Sequence, residues 1–264
     1  ANLMVIHRLS DLLTAGDAGS QGRALAEGLL APRQGRTMTD TSVDITLADG
    51  FGHRWAEILM STFLQGRAED LGRLDRLTGD GDFGNNITSA LRRAQQSIDA
   101  QEPQDYRGRL TAVSRGFLGT GGTSGPLFGM FFRDLAHCSD GGEPTLGELS
   151  DGLTAAVATV QRYGKAEVGH KTMIDALVPA ARTLESLVPG TDPVQALHRT
   201  AQAAIEGARS TADLVAKRGR ASYVGEVARG VLDPGAAAAA IVLQAAAAAQ
   251  STAGPVPDTG WINA

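Results

Sequence analysis

Ile174-Asp-Ala-Leu-Val-Pro-Ala-Ala-Arg-Thr-Leu-Glu-Ser-Leu-Val188 places its large apolar residues three or four positions apart. This spacing puts them on one face of an α-helix, which would then lie against an apolar core. From about residue 50 the same period recurs in four other segments. Their apolar positions are Trp55, Ile58, Leu59 and Phe63; Ile87, Leu91, Ala94 and Ile98; Leu149, Leu153, Val157 and Val160; and Val194, Leu197, Ala201, Ala204, Ile205 and Ala208.

A further segment, Ala236–Ala249, consists largely of alanine, the residue with the highest helix propensity. Its small side chains also permit neighbouring helices to approach closely. We therefore predict an all-α fold, a bundle of roughly seven to eight helices joined by loops.

The first 48 residues differ from the rest because no helical period is sustained in them. We predict an N-terminal arm or linker over residues 1–48 and a helical domain over residues 49–264. Met38 resembles a natural start, so the residues before it would be an appended arm or an upstream extension. Val43, Ile45 and Leu47 alternate with polar residues and predict one short strand.

The composition is ordinary for a globular chain, with 42% hydrophobic and 20% charged residues. A net charge of −5 argues against nucleic-acid binding, which relies on basic surface. The longest apolar run, Ala236–Leu243, is too short to cross a membrane, and residues 1–15 carry no secretion signal. The single cysteine, Cys138, excludes an internal disulfide and has no partner that would make it reactive. We expect a cytoplasmic protein that binds neither nucleic acid nor membrane.

Leu74-Asp-Arg-Leu-Thr-Gly-Asp-Gly-Asp-Phe-Gly-Asn-Asn86 concentrates three carboxylates, those of Asp75, Asp80 and Asp82, among glycines. Crowded carboxylates repel one another, and a bound cation removes the conflict. Hard oxygen ligands suit Mg²⁺ or Ca²⁺, and magnesium usually keeps coordination positions for substrate phosphates. The segment predicts an acidic loop that binds a nucleotide through its metal.

This segment has three other interpretations. The residue order fails the EF-hand pattern, since Gly84 and Asn85 stand where an acid and a glycine are required. Gly79–Gly84 matches the G-x-G-x-x-G dinucleotide fingerprint, but no apolar strand precedes it and its aspartates would repel a bare pyrophosphate. A solvated turn with chance acids stays open from the loop alone.

Gly119-Thr-Gly-Gly-Thr-Ser-Gly-Pro-Leu-Phe-Gly129 predicts a phosphate-binding loop that leads into a helix. Its glycines permit close backbone approach, Thr123 and Ser124 supply hydroxyls, and helix N-termini bind phosphates. The alternative is a flexible linker.

Arg220, in Gly219-Arg-Ala-Ser-Tyr-Val-Gly-Glu226, could stabilise charge on a phosphoryl group. Asp233-Pro-Gly-Ala236 is typical of a helix start, which explains it without any ligand.

Together with Gly-His-Lys-Thr-Met-Ile-Asp175, these four segments follow one another in an order that resembles the L subunit or L domain of dihydroxyacetone kinases (DhaL). The resemblance runs from about residue 53 to 250. It implies an all-α, eight-helix antiparallel barrel with a nucleotide, ADP or ATP, at one rim and two Mg²⁺ ions bridging its phosphates. The nucleotide domain of fatty acid kinases fits the last two segments less well.

The resemblance also implies roles for individual residues. The metal ligands would be Asp75, Asp80 and Asp82. The nucleotide would be contacted by Phe83, Gly84, Asn85, Asn86, Thr123, Ser124, Gly164, Met173, Arg220 and Asp233, with Arg220 also acting in catalysis. Phe83 stands where the family often has histidine, and His170 where it commonly has an acid.

In that family a K subunit or K domain holds the ketose, so we predict a phosphotransferase subunit that passes phosphoryl to a ketose on a K partner. A phosphohistidine donor protein of the phosphotransferase system would recharge bound ADP in some members, whereas others exchange ATP. Two alternatives remain: a kinase for another ketose such as erythrulose, and a non-catalytic ADP-binding regulatory protein. A homodimer is also open.

Overall fold

The structure, a computed structural model, describes residues 44–223, 225–251 and 257–263. Within these residues the chain forms nine α-helices. They are α1 (Phe51–Thr62), α2 (Ala68–Thr78), α3 (Phe83–Gln101), α4 (Tyr106–Leu118), α5 (Ser124–Ala136), α6 (Leu146–Gly164), α7 (Ile174–Leu187), α8 (Pro193–Ser210) and α9 (Pro234–Gln250).

Helices α1 and α2 form one continuous but kinked element. A π turn, Phe63–Arg67, joins them, and non-helical dihedrals at Gln65 and Gly66 produce the kink. Gly66 has a φ of 131°, which a residue with a side chain rarely adopts. When this element is counted as one helix, the described chain has eight, so the predicted all-α, eight-helix fold is confirmed.

Each helix contacts the next along the chain, and α9 closes the ring against α1. The indole Nε1 of Trp55 in α1 donates to the carbonyl of Val242 in α9 at 3.0 Å. Because the connections are short and the helices alternate in direction, α3, α5, α7 and α9 all begin at one end of the barrel. Helices α1, α4, α6 and α8 begin at the other end.

The core is rich in aromatic residues and alanine. Phe51, Trp55, Phe117, Phe128 and Phe132 contact one another with ring centroids 5.4–6.4 Å apart, and truncation of such a side chain costs about 3–5 kcal/mol. Helix α9 is buried on nearly every side, which explains its alanines, since only small residues let several helices surround one. No helix in the described ranges is long and apolar enough to span a bilayer.

Residues 44–50, which precede α1, pack on the barrel without forming the predicted strand. Across the described part of the chain, the β pairing consists of one isolated bridge between Thr46 and Thr145. Leu47 is buried, and its N–H donates to the carbonyl of Pro144 at 2.9 Å. Val43 and the rest of the predicted arm lie outside the described residues. The boundary at residue 48 stays a prediction.

A short C-terminal segment also packs on the barrel, which the sequence did not indicate. Trp261 and Ile262 are buried. The indole Nε1 of Trp261 donates to Gln244 Oε1 at 3.1 Å, and Arg73 Nη2 donates to Asn263 Oδ1 at 3.0 Å. This segment thereby ties α9 to α2.

Candidate functional site

The end of the barrel where α3, α5, α7 and α9 begin contains a cavity of about 220 Å³. The first residues of all four helices, Phe83, Ser124, Ile174 and Pro234, line it. Helix N-termini carry partial positive charge and point backbone N–H groups along the helix axis. Four of them around one cavity favour a negatively charged ligand.

The N-terminus of α5 differs from the others in how its amides are satisfied. Its cap residue, Thr123, makes no capping hydrogen bond through its side chain. In the described ranges, every other helix that follows a non-helical connection has a first-turn N–H that donates to a side chain. These acceptors are Glu143 for α1, Asp75 for α3, Asp105 for α4, Thr145 for α6, Thr172 for α7, Asp192 for α8 and Asp233 for α9. The first turn of α5 is therefore the one that is open to an external anion.

The glycine-rich loop brings backbone close to this turn. Gly122 has a φ of 80°, a left-handed conformation, and a Cβ placed on it would lie 3.4 Å from Asn86 Nδ2. Gly121, Gly122, Thr123 and Ser124 all line the cavity, as predicted for a phosphate loop. Hydroxyl and amide donors thus surround the start of α5.

The acidic segment is not one loop. Asp75 lies in the last turn of α2, and its Oδ2 accepts from the N–H of Phe83, the first residue of α3, at 3.0 Å. The turn between these helices contains Asp80 and Gly81, whose φ is 78°. The carboxylate therefore joins the end of one helix to the start of the next, so its position depends on the crossing of α2 and α3.

Asp75 and Asp80 line the cavity, whereas Asp82 does not. No three acidic, histidine or cysteine side chains in the described ranges stand close enough together to enclose a metal ion. The side chain of Asp80 instead forms an ion pair with Arg220. The donor chemistry of Asp75 and Asp80, carboxylate oxygens beside an anion site, fits Mg²⁺. The role of Asp82 stays a prediction.

The inner half of the cavity is apolar. Gly164, at the end of α6, lies beside Leu127, because a Cβ added to it would be 3.4 Å from Leu127 Cδ1. An apolar pocket next to a polar, anion-binding half suits a ligand that has one flat hydrophobic end and one charged end. The lining on this side consists of Leu127, Phe128, Val160, Ala166, Met173 and Ile174.

The remaining wall comes from the connection between α8 and α9. Arg218, Arg220 and Asp233 line the cavity. Asp233 Oδ2 accepts from the N–H of Ala236 at 2.7 Å, and Pro234 follows it, which confirms the predicted helix start. Although part of Asp233 faces the cavity, protein surrounds its carboxyl group. Burial therefore raises its pKa to about 7, and nearby Asp175 adds to the increase.

The structure brings most of the predicted site residues together. Ten line the cavity: Asp75, Asp80, Phe83, Asn86, Thr123, Ser124, Gly164, Met173, Arg220 and Asp233. Asp82, Gly84 and Asn85 do not. Gly84 is buried where α2 crosses α3, beside the carbonyl of Ala68, and Asn85 is exposed on α3.

Sequence reasoning did not include several residues that line the cavity. Thr120, Thr172 and Arg218 are neighbours of predicted residues, so the signal for them was proximity in the chain. Phe117, Phe128 and Val160 carried no such signal, because an apolar residue that faces a cavity has the same helical spacing as one in the core.

Comparison with known proteins identifies a sequence family and several relatives that this chain resembles. The sequence model of the DAK2 domain family matches residues 77–248. The chain is 36% identical to the ADP-binding subunit DhaL of PEP-dependent dihydroxyacetone kinase 2 from Listeria innocua, over 70% of this chain and 87% of that subunit. It is 35% identical to triokinase/FMN cyclase of Homo sapiens, over 72% of this chain and 33% of that protein.

The fold is similar to a solved structure. The dihydroxyacetone kinase of C. freundii, in complex with AMP-PNP and Mg²⁺, superposes with a TM-score of 0.56 at 27% identity. The match covers 80% of this chain and 36% of that one. The chain thus spans about a third of the larger relatives and most of the Listeria subunit.

Proposed function

The chain belongs to the DAK2 domain family, and on this premise we propose that it is the nucleotide-binding subunit or domain of a dihydroxyacetone-type kinase. It binds ADP or ATP in the cavity at the rim of the barrel, and the terminal phosphoryl group of ATP passes to a ketose held by a K partner, which leaves ADP.

One observation carries this proposal. The N-terminus of α5 has no side-chain cap, follows a glycine-rich loop and lines the cavity. Phosphate oxygens would accept from its free amides and from the hydroxyls of Thr123 and Ser124. The base would then occupy the apolar inner half of the cavity, between Leu127 and Met173.

Asp75, Asp80 and Asp82 would hold two Mg²⁺ ions at the other side of the phosphates. Bound magnesium would neutralise charge on the phosphoryl group as it is transferred. Asp75 is suited to this role because its other oxygen is fixed by the amide of Phe83. Phe83 itself, where relatives often have histidine, contributes a backbone donor and an apolar side chain.

Arg220 would act on the same phosphates from the opposite wall. Its guanidinium carries the five donors and permanent charge that suit phosphate oxygens. In the structure its partner is Asp80, so binding of nucleotide and metal would require these two side chains to exchange partners. Arg220 would then stabilise charge on the transferred group.

The surface around the cavity mouth supports a protein partner. Six large exposed hydrophobic residues lie on loops or helix ends that also carry lining residues. Exposed apolar side chains of this kind are typical of interaction sites. They are Leu77, Leu118, Tyr163, Val168, Tyr223 and Val227. A K subunit or K domain docked on this rim would bring its ketose to the phosphoryl group, and a phosphohistidine donor protein would use the same access.

Native mass spectrometry of the purified protein, with and without EDTA, tests the proposal. Retained ADP with two magnesium ions, lost on chelation, would support a resident ADP that a phosphohistidine donor recharges. A nucleotide-free protein that binds Mg-ATP reversibly would support an ATP-dependent kinase. A protein that binds no nucleotide under either condition would refute the proposal.

The acceptor needs a separate assay, because a partner would choose it. Phosphoryl transfer to dihydroxyacetone and to erythrulose should be compared with the same nucleotide subunit and different K subunits. The preference should follow the K subunit and not this chain.

A further inference from the structure

Lys171, in the loop between α6 and α7, is 1% exposed. Lysine is seldom buried without partners that accept from its ammonium group. Its backbone φ is 58°, a left-handed conformation that a residue with a side chain adopts at a cost. Burial and strain together indicate that the surrounding structure requires this side chain.

The ammonium group holds two distant parts of the backbone together. Lys171 Nζ donates to the carbonyl of Thr211 at 2.5 Å and to that of Val231 at 2.6 Å. Thr211 follows the end of α8, and Val231 precedes α9. The two carbonyls are the two ends of the connection that carries Arg220.

We call these ends, residues 211–213 and 229–233, the neck of the α8–α9 connection. Three further hydrogen bonds close the neck. The N–H of Gly230 donates to Ala212 O at 2.8 Å, that of Asp233 to Thr211 Oγ1 at 2.9 Å, and Arg229 Nη1 to Asp213 O at 2.7 Å. Lys171 lies on the inner side of the neck, where it also lines the cavity.

Outside the neck, the described part of the connection contacts α2, the α6–α7 loop and Asp80. It contains two short 3-10 turns, Arg220–Tyr223 and Gly225–Ala228. The N–H of Lys217 donates to the carbonyl of His170 at 3.1 Å, again on the α6–α7 loop. Arg220 at the tip contacts Asp80 on the opposite wall. The position of the tip therefore depends on the neck, on the α6–α7 loop and on the contact of the Gly225–Ala228 turn with α2.

We propose that Lys171 is a positioning residue that clamps the neck of the α8–α9 connection and thereby fixes Arg220 at the mouth of the cavity. This inference rests on the proposed function, in which Arg220 contacts the nucleotide phosphates. A cation suits the position because two backbone carbonyls point at one atom and charge-assisted hydrogen bonds are stronger than neutral ones. Burial lowers the pKa of Lys171, and the nearby carboxyl groups of Asp233 and Asp175 partly offset this.

The test compares Lys171→Met, Arg220→Ala, the double variant and a control. Lys165→Met is a matched control, since Lys165 is an exposed lysine on the same loop with a φ of 49° and does not line the cavity. Two quantities are measured: amide hydrogen exchange of peptides covering residues 212–230 without nucleotide, and affinity for Mg-ADP.

Lys171→Met should raise exchange across residues 212–230 by about tenfold or more, because it removes two charge-assisted hydrogen bonds. Peptides from α3 and α5 should be unchanged. The affinity loss should match that of Arg220→Ala, and the double variant should be no worse than either single variant. Lys165→Met should match the wild type in both measurements.

Unchanged exchange in Lys171→Met, or additive affinity losses in the double variant, would overturn the inference, since they would mean that Lys171 acts on the ligand directly or not at all.

If Lys171→Met does not fold, amide exchange in the wild type tests the clamp instead. The amides of Gly230 and Asp233 must then be better protected than that of Tyr223, and equal exchange overturns the clamp. If the wild type binds no nucleotide, the proposed function fails, while the exchange measurement still tests the clamp.

Discussion

Arg220 and Asp80 form an ion pair across the mouth of the cavity. Their side chains are 52% and 40% exposed. An ion pair this exposed contributes at most about 1 kcal/mol to stability. Its importance is functional. While the pair is formed, the proposed metal ligand Asp80 and the proposed phosphate contact Arg220 are bound to each other.

Arg220→Ala should therefore change two affinities in opposite directions. Affinity for Mg-ADP should fall by about tenfold or more, because a charged phosphate contact is lost. Affinity for Mn²⁺ alone, a spectroscopic probe for the magnesium site, should rise, because Asp80 becomes free. Isothermal titration and electron paramagnetic resonance measure the two. Arg209→Ala, on the exposed end of α8, is the control; a fall in both affinities would contradict the competition.

Single replacements of the aspartates distinguish their roles. Asp75→Asn and Asp80→Asn should each reduce magnesium-dependent ADP affinity by about tenfold or more, because each removes a carboxylate from the proposed metal site. Asp82→Asn should do the same, as the family resemblance implies, although Asp82 does not line the cavity. Asp151→Asn, on the exposed surface of α6, should have no effect. Wild-type affinity in Asp82→Asn would remove it from the ligand set.

Asp233 should make stability depend on pH. Burial raises its pKa from 3.8 to about 7, so the folded protein holds a proton that the unfolded chain releases. Its stabilising contribution is complete below about pH 4 and is lost as pH rises toward 7, by on the order of a few kcal/mol. The free energy of unfolding in urea, measured from pH 4 to 8, should show this decline.

Asp233→Asn is the comparison, because asparagine also caps helices but does not titrate. The difference in unfolding free energy between wild type and variant should decrease as pH rises from 4 to 7. A difference that stays constant over this range would mean that Asp233 titrates normally.

Cys138 should react slowly with alkylating agents. Burial raises the pKa of its thiol to about 11, and the nearby Tyr106 hydroxyl only partly offsets this. The thiolate is the reactive form, so little is available at pH 8. Iodoacetamide labelling should be far slower in the folded protein than in urea. Equal rates would indicate an exposed, ionised thiol.

Gly84→Ala should destabilise the fold beside the acidic segment. An added Cβ would meet the carbonyl of Ala68 on α2, which cannot move without shifting the helix. We expect a loss of about 1–3 kcal/mol in urea denaturation. Gly121→Ala is the stability control, because no atom lies within 4 Å of its added Cβ. An equal effect of both changes would mean that the α2–α3 crossing can adjust.

The helical period of the sequence predicted α1, α3, α6, α7 and α8, since burial of one face imposes that spacing locally, and the helix propensity of alanine predicted α9. The helical period did not show that Asp75 belongs to helix α2 and not to the loop that follows, because α2 ends within the acidic segment. Nor did it predict Gly84 at the helix crossing, since a glycine that permits close approach resembles a glycine in a turn. The predicted strand was wrong in residues 44–48 because Leu47 is buried against the barrel without a pairing strand.

The sequence by itself determined the all-α class, the order of the loops and the chemical types of residue that they carry. These properties depend on local spacing and composition. Only the tertiary structure decided that α3, α5, α7 and α9 start at one cavity, that no side chain among the described residues accepts from the first amides of α5, and that Lys171 closes the neck behind Arg220. Those relationships join residues far apart in the chain, and they arise from the closure of the barrel.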